Sequence, residues 1–76
     1  MDFGSKIRLA REKCEYTQSQ VASMIPMNQS NYSKIERGVQ EPNMYQLKRI
    51  VEILRVDIYD LLELNISTVT VAVTTI

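Results

Sequence analysis

The 76-residue sequence has no histidine, no tryptophan, one cysteine, one phenylalanine, two glycines and two prolines. Each scarcity removes a class of protein. Without histidine, and with Cys14 as the single thiol, a zinc site lacks its usual ligands and no disulfide can close within the chain. Histidine is also the commonest general base. Its absence, acids scattered over helical patterns and the lack of a phosphate-cradling glycine loop leave no basis for an enzyme, a metal or another cofactor. No apolar run approaches the roughly 18 residues needed to cross a bilayer. The opening MDFGSKIRLAREK has neither an apolar signal core nor a cleavage site. These features predict a cytoplasmic chain with no membrane partner.

Net charge is missing as well, with nine cations against nine acids. A zero balance weakens non-specific attraction to nucleic-acid phosphates, so distribution matters more than the sum. Residues 1–40 hold six cations and four acids, residues 41–76 three cations and five acids. Hydrophobic content of 45% with 24% charged residues excludes wholesale disorder and fits one small domain with a modest core.

What is present is concentrated in Thr17 to Gly38, TQSQVASMIPMNQSNYSKIERG. Two short helical patterns meet at Pro26-Met27. The first, about Gln18 to Ile25, places Val21, Ala22 and Ile25 on one face; the second, about Gln29 to Arg37, turns Tyr32 and Ile35 inward. The outer face of the second presents Gln29, Ser30, Asn31, Ser33, Lys34 and Arg37, with no acid among them. Amides, hydroxyls and cations on one helix suit the donors and acceptors of a DNA major groove, and two short helices at a tight turn describe a helix-turn-helix.

The flanks supply support. Phe3, Ile7, Ala10 and Cys14 fall at helical spacing, which predicts a first helix from about Phe3 or Gly4 to Cys14. Thr17, Asn28, Asn43 and Asp57 are placed as N-caps, and Gly38 as the left-handed residue after a helix. A fourth helix follows Pro42-Asn43 with Met44, Leu47, Ile50, Val51 and Leu54 inward. A short fifth runs from about Ile58 to Leu64, packed through Ile58, Leu61 and Leu62. Met24, Met27 and Met44 are expected to fill core and turn, with Met27 also near enough to the second motif helix to meet a thymine methyl. Cys14 reads as a half-buried small hydrophobe rather than a redox sensor.

The string TQ...VA...NQSNYSKIERG..EPN...L..I...L.V....LL resembles the lambda-repressor-like helix-turn-helix family, over roughly residues 5 to 63. Its most specific part is SKIERG followed by a proline four residues on, with TQ upstream. The resemblance implies an all-α, compact five-helix DNA-binding domain over residues 1–65, with recognition helix 28–37. It implies a sequence-specific transcriptional regulator, a repressor, that binds a pseudo-palindromic operator in double-stranded DNA as a homodimer. Gln29, Ser30 and Lys34, then Asn31 and Ser33, are its base-edge contacts; Gln18, Arg37 and Asn43 are its phosphate contacts, with Gln18 also bracing the recognition helix. Lys34 also has a phosphate alternative, Asn43 a capping one, and Tyr32 stands in the core or reaches a phosphate. The resemblance further implies a structural ion pair between Arg11 and Glu36. Where the family carries glycine or asparagine, this sequence has Glu15, Pro26 and Arg55. Pro26 cannot take positive φ, so the motif turn requires another geometry.

Residues 66–76, ISTVTVAVTTI, form a second segment without charge, glycine or proline. Val69, Val71 and Val73 alternate onto one face of a β-strand. A lone strand lacks backbone partners. It is therefore either a frayed tail or a dimerisation arm that pairs with the same strand of a second chain. The competing functional reading is an antitoxin-like or assembly module whose tail strand binds a protein partner.

Overall fold

Five small polar residues punctuate the chain, and each starts a helix. The computed structural model describes residues 2–62. In it Asp2 caps α1 (Phe3–Lys13), Thr17 caps α2 (Gln18–Met24), Asn28 caps α3 (Gln29–Glu36), Asn43 caps α4 (Met44–Leu54) and Asp57 caps α5 (Ile58–Leu61). Each cap oxygen accepts from a first-turn amide that would otherwise lack a partner. At Thr17 and Asn43 the exchange is reciprocal. Gln20 N–H donates to Thr17 Oγ1 at 3.1 Å while Thr17 N–H donates to Gln20 Oε1 at 2.8 Å. Gln46 and Asn43 make the same pair at 2.8 and 3.0 Å.

The helices close on one core. Ile7 of α1, Val21 and Ala22 of α2 with Ile25 just after it, Tyr32 and Ile35 of α3, Ile50 and Leu54 of α4, and Leu61 of α5 are all buried. Their spacing in each helix puts a single stripe inward. α2 packs on α3, α1 crosses α3 and α4, and α5 lies against α1. Cations tie helix ends across the core. Arg49 donates to the Met24 carbonyl at 2.9 Å, and Lys6 to the Asp60 carbonyl at 2.6 Å. Cys14 is half-buried, its Sγ 3.7 Å from the Leu54 carbonyl.

Two packing expectations need correction. Met44 is 81% exposed, because it occupies the first position of α4 and that end projects beyond the core. Leu62 is 41% exposed, and the one buried residue of α5 (Ile58–Leu61) is Leu61; the expected helix end near Leu64 lies outside the described residues. The architecture of the described residues is all-α. The C-terminal strand, with Val69, Val71 and Val73, lies outside the described residues.

The three departures from the family pattern resolve differently. Pro26 follows a cis peptide, and the Met27 N–H reaches back to the Ala22 carbonyl at 2.7 Å to close the turn. Glu15 and Arg55 instead keep the left-handed backbone of a glycine, at φ 61° and 54°. After α1, Tyr16 N–H donates to the Arg11 carbonyl at 3.2 Å across Glu15. After α3, Val39 N–H donates to the Lys34 carbonyl at 3.0 Å across Gly38, which has φ +78°. Both closures are Schellman-type ends. A β-carbon in this region costs about 1–2 kcal/mol, partly offset in glycine by its greater unfolded-chain entropy. Glu15→Gly and Arg55→Gly are therefore each expected to stabilise the fold by roughly 0.5–1 kcal/mol. Urea midpoints that fall on substitution would show that the side chains make compensating contacts.

Candidate nucleic-acid interface

α3 carries the candidate surface, and its two faces differ sharply. Tyr32, Ile35 and Glu36 are buried, while Gln29, Ser30, Asn31 and Lys34 are exposed and Ser33 is half-buried. Ser33 is thus the least available of the five expected base contacts. Asn28 starts the helix by accepting from Ser30 N–H at 2.7 Å. No acid stands in the first turn, so the partial positive charge of the helix start is not cancelled. Arg37, at the far end, is exposed.

The one acid of α3 points the other way. Glu36 has only 2% of its side chain exposed and meets Arg11 Nε at 2.7 Å; Arg11 Nη2 adds a second bond at 3.2 Å. The fork-to-carboxylate arrangement is the strong form of this interaction. Arg11 also donates to the Tyr16 carbonyl at 2.8 Å, which locks the guanidinium over the end of α1. Burial works to raise the Glu36 pKa, but hydrogen bonds from Arg11 and then the other groups around the carboxylate outweigh it, and the net shift is downward. The Glu36 carboxylate in turn raises the Arg11 pKa. Glu36 therefore stays ionised and compensated inside the protein, where it cannot repel a phosphate.

Gln18 joins the same hub. Its Nε2 donates to Glu36 Oε1 at 3.0 Å, so the side chain braces α2 against the C-terminal end of α3, as the family resemblance implies. Its second amide hydrogen and its oxygen remain for another partner. Tyr32 is fully buried, in the core rather than at a phosphate. Burial pushes its phenol far above the ordinary range, and the adjacent Glu36 carboxylate adds to the shift. The hydroxyl lies beside that carboxylate but makes no hydrogen bond of proper geometry among the described residues. Asn43 is exposed at the start of α4, its Oδ1 occupied by the cap.

One positioning residue was not identified from the pattern. Gly4 is buried where the first turn of α1 meets the C-terminal carbonyls of α3. A β-carbon there would stand 2.8 Å from both the Glu36 carbonyl carbon and the Ile35 oxygen, and closer still to the Glu36 oxygen. The available signal was a glycine placed inside an otherwise good helical pattern, which generally has a packing reason.

Among the described residues no helix is long and apolar enough to cross a membrane, and no acid or cysteine cluster could hold a metal. A protein-family model described as helix-turn-helix matches residues 7–61. No curated protein and no solved structure matches the chain.

Proposed function

Because the chain belongs to the lambda-repressor-like family of DNA-binding helix-turn-helix domains, we propose that it is a sequence-specific transcriptional repressor. It acts as a homodimer on a pseudo-palindromic operator. Two copies of α3 enter successive major grooves about 34 Å apart, and bound protein excludes polymerase without chemistry. The observation that carries this reading is the polarity of α3. Its exposed side chains are amides, a hydroxyl and a cation, and its one carboxylate is turned inward onto Arg11.

Roles follow from donor and acceptor inventories. Gln29 pairs with adenine N6 and N7, and Lys34 donates to guanine O6 or N7. Ser30, Asn31 and Ser33 add single hydrogen bonds to base edges. Arg37, Asn43 and the unused amide hydrogen of Gln18 hold phosphates and set the register without reading sequence. With zero net charge, non-specific affinity is low, and pairing of two half-sites supplies what one domain lacks. The tail valines, Val69, Val71 and Val73, add a strand pair between the two copies.

The test is selection of duplex DNA from a randomised pool by the full chain, followed by substitution. The pool should converge on two half-sites about one helical turn apart. Gln29→Ala and Lys34→Ala should each lose about 1–3 kcal/mol of binding and relax preference at one position per half-site. Arg37→Ala should weaken all sequences alike and lower the salt slope by about one. A pool without consensus, or Gln29 and Lys34 variants that bind like the parent, would remove α3 from the site.

A further inference from the structure

The large apolar side chains left exposed among the described residues are Val39, Met44, Tyr45, Tyr59 and Leu62. All follow α3 in the chain, and none lies on its outer face. Exposed apolar patches of this kind on a small protein mark contact surfaces. Two of them, Met44 (81% exposed) and Tyr45 (58% exposed), border a groove of about 490 Å³ lined also by the half-buried Leu47, Val51 and Ile58. Leu47 also lines a second groove, which includes Leu62.

We infer that this α4–α5 face is the surface on which two copies of the chain pair, with α4 packed antiparallel to its counterpart. The inference rests on the homodimer reading above and names its interface. An isologous contact requires one surface to carry both a projection and a recess, and this one does: Met44 and Tyr45 stand beside the groove that would receive their symmetry mates. Charge is self-complementary in the same way. Lys48 and Glu52 line the groove one helical turn apart. In an antiparallel pair each Lys48 faces the other copy's Glu52, whereas a parallel pair would oppose like charges. Glu52 also meets Arg49 at 3.2 Å in an exposed pair, which leaves its second oxygen available. The contact uses nothing on the outer face of α3, so both recognition helices stay open to DNA.

The experiment is sedimentation equilibrium of the full chain without DNA over a concentration series. Parallel samples carry Met44→Glu, Lys48→Glu, Glu52→Lys, the double Lys48→Glu/Glu52→Lys and the tail substitution Val71→Lys. Met44 is solvent-exposed in the first helical turn, where an acid favours the helix, so Met44→Glu should keep the fold. It should weaken dimerisation roughly tenfold, as loss of one anchor residue does. Each single charge reversal should weaken it roughly threefold, since the pair occurs twice, and the double reversal should restore it. The result is overturned by a mass of one chain at every concentration, or by a dimer that responds to Val71→Lys but to none of the α4 variants. Binding of each variant to a single half-site is measured alongside. A parent chain that is monomeric at every concentration yet binds the half-site removes this interface and leaves the DNA-binding reading intact. A monomeric Met44→Glu variant that keeps half-site binding supports the interface.

Discussion

Arg11→Ala is expected to remove about 3 kcal/mol of stability, the lower part of the range for stranding a buried charge. For a domain of this size that is most of what holds it folded. The loss arises less from the missing attraction than from what remains. Glu36 would keep a nearly buried carboxylate with Gln18 as its one direct hydrogen-bond donor. The Tyr16 carbonyl would lose its guanidinium donor too. Arg8→Ala, on the same helix but exposed, should fall within about 0.5 kcal/mol of the parent. Urea unfolding of the two variants decides the matter, and equal midpoints would sink the claim. The double Arg11→Ala/Glu36→Ala should lose less than the sum of the singles, because neither charge is then left alone.

The same pair sets an acid limit. Because the Glu36 pKa is lower in the folded chain than in the unfolded one, its contribution is fully present above the unfolded value. It is lost as pH falls through the folded value. Stability should therefore decline on the acid side of the ordinary carboxylate range. Glu36→Gln, which cannot titrate, should flatten that part of the profile.

The helices were legible because each is announced by a cap and carried by a stripe. Asn43 precedes a run in which Leu47, Ile50, Val51 and Leu54 repeat at helical spacing, and the helix spans Met44–Leu54. Periodicity does not reveal where a helix leaves the core, so Met44 continues the stripe in sequence yet stands in solvent. Backbone conformation was legible in part. Gly38 invites a left-handed end, but Glu15 and Arg55 take the same conformation without the residue that makes it easy. Contact between elements was not legible from periodicity; the Arg11–Glu36 pair and the bracing role of Gln18 were implied only by the family resemblance. The bond from Gln18 to Glu36 depends on how α2 meets the end of α3, and no local pattern encodes that meeting. For α3 itself the outward set Gln29, Ser30, Asn31 and Lys34 was legible, because alternation of buried and exposed positions follows directly from helical geometry.

Gly4→Ala tests the contact that sequence reasoning could not see. In most helices this change would add roughly 0.5–1 kcal/mol through helix propensity. Here the added carbon meets main-chain atoms of Ile35 and Glu36. Backbone cannot rotate aside as a flexible side chain can, so α1 must move away from α3. Overpacking of this kind costs about 1–3 kcal/mol and occasionally more, and at a rigid backbone contact we expect a net loss of about 2 kcal/mol. The two glycines of this chain thus serve opposite needs. Gly38 has open space around a β-carbon but a left-handed backbone, whereas Gly4 is helical with no space at all. Asparagine, which tolerates the left-handed region, should therefore be accepted at position 38 and rejected at position 4. Displacement of α1 would also shift the Arg11–Glu36 anchor at the C-terminal end of α3. Gly4→Ala should consequently weaken operator binding at temperatures where circular dichroism still reports full helix. An alanine variant at least as stable as the parent, with unchanged DNA affinity, would show that α1 and α3 do not meet as closely as Gly4 requires.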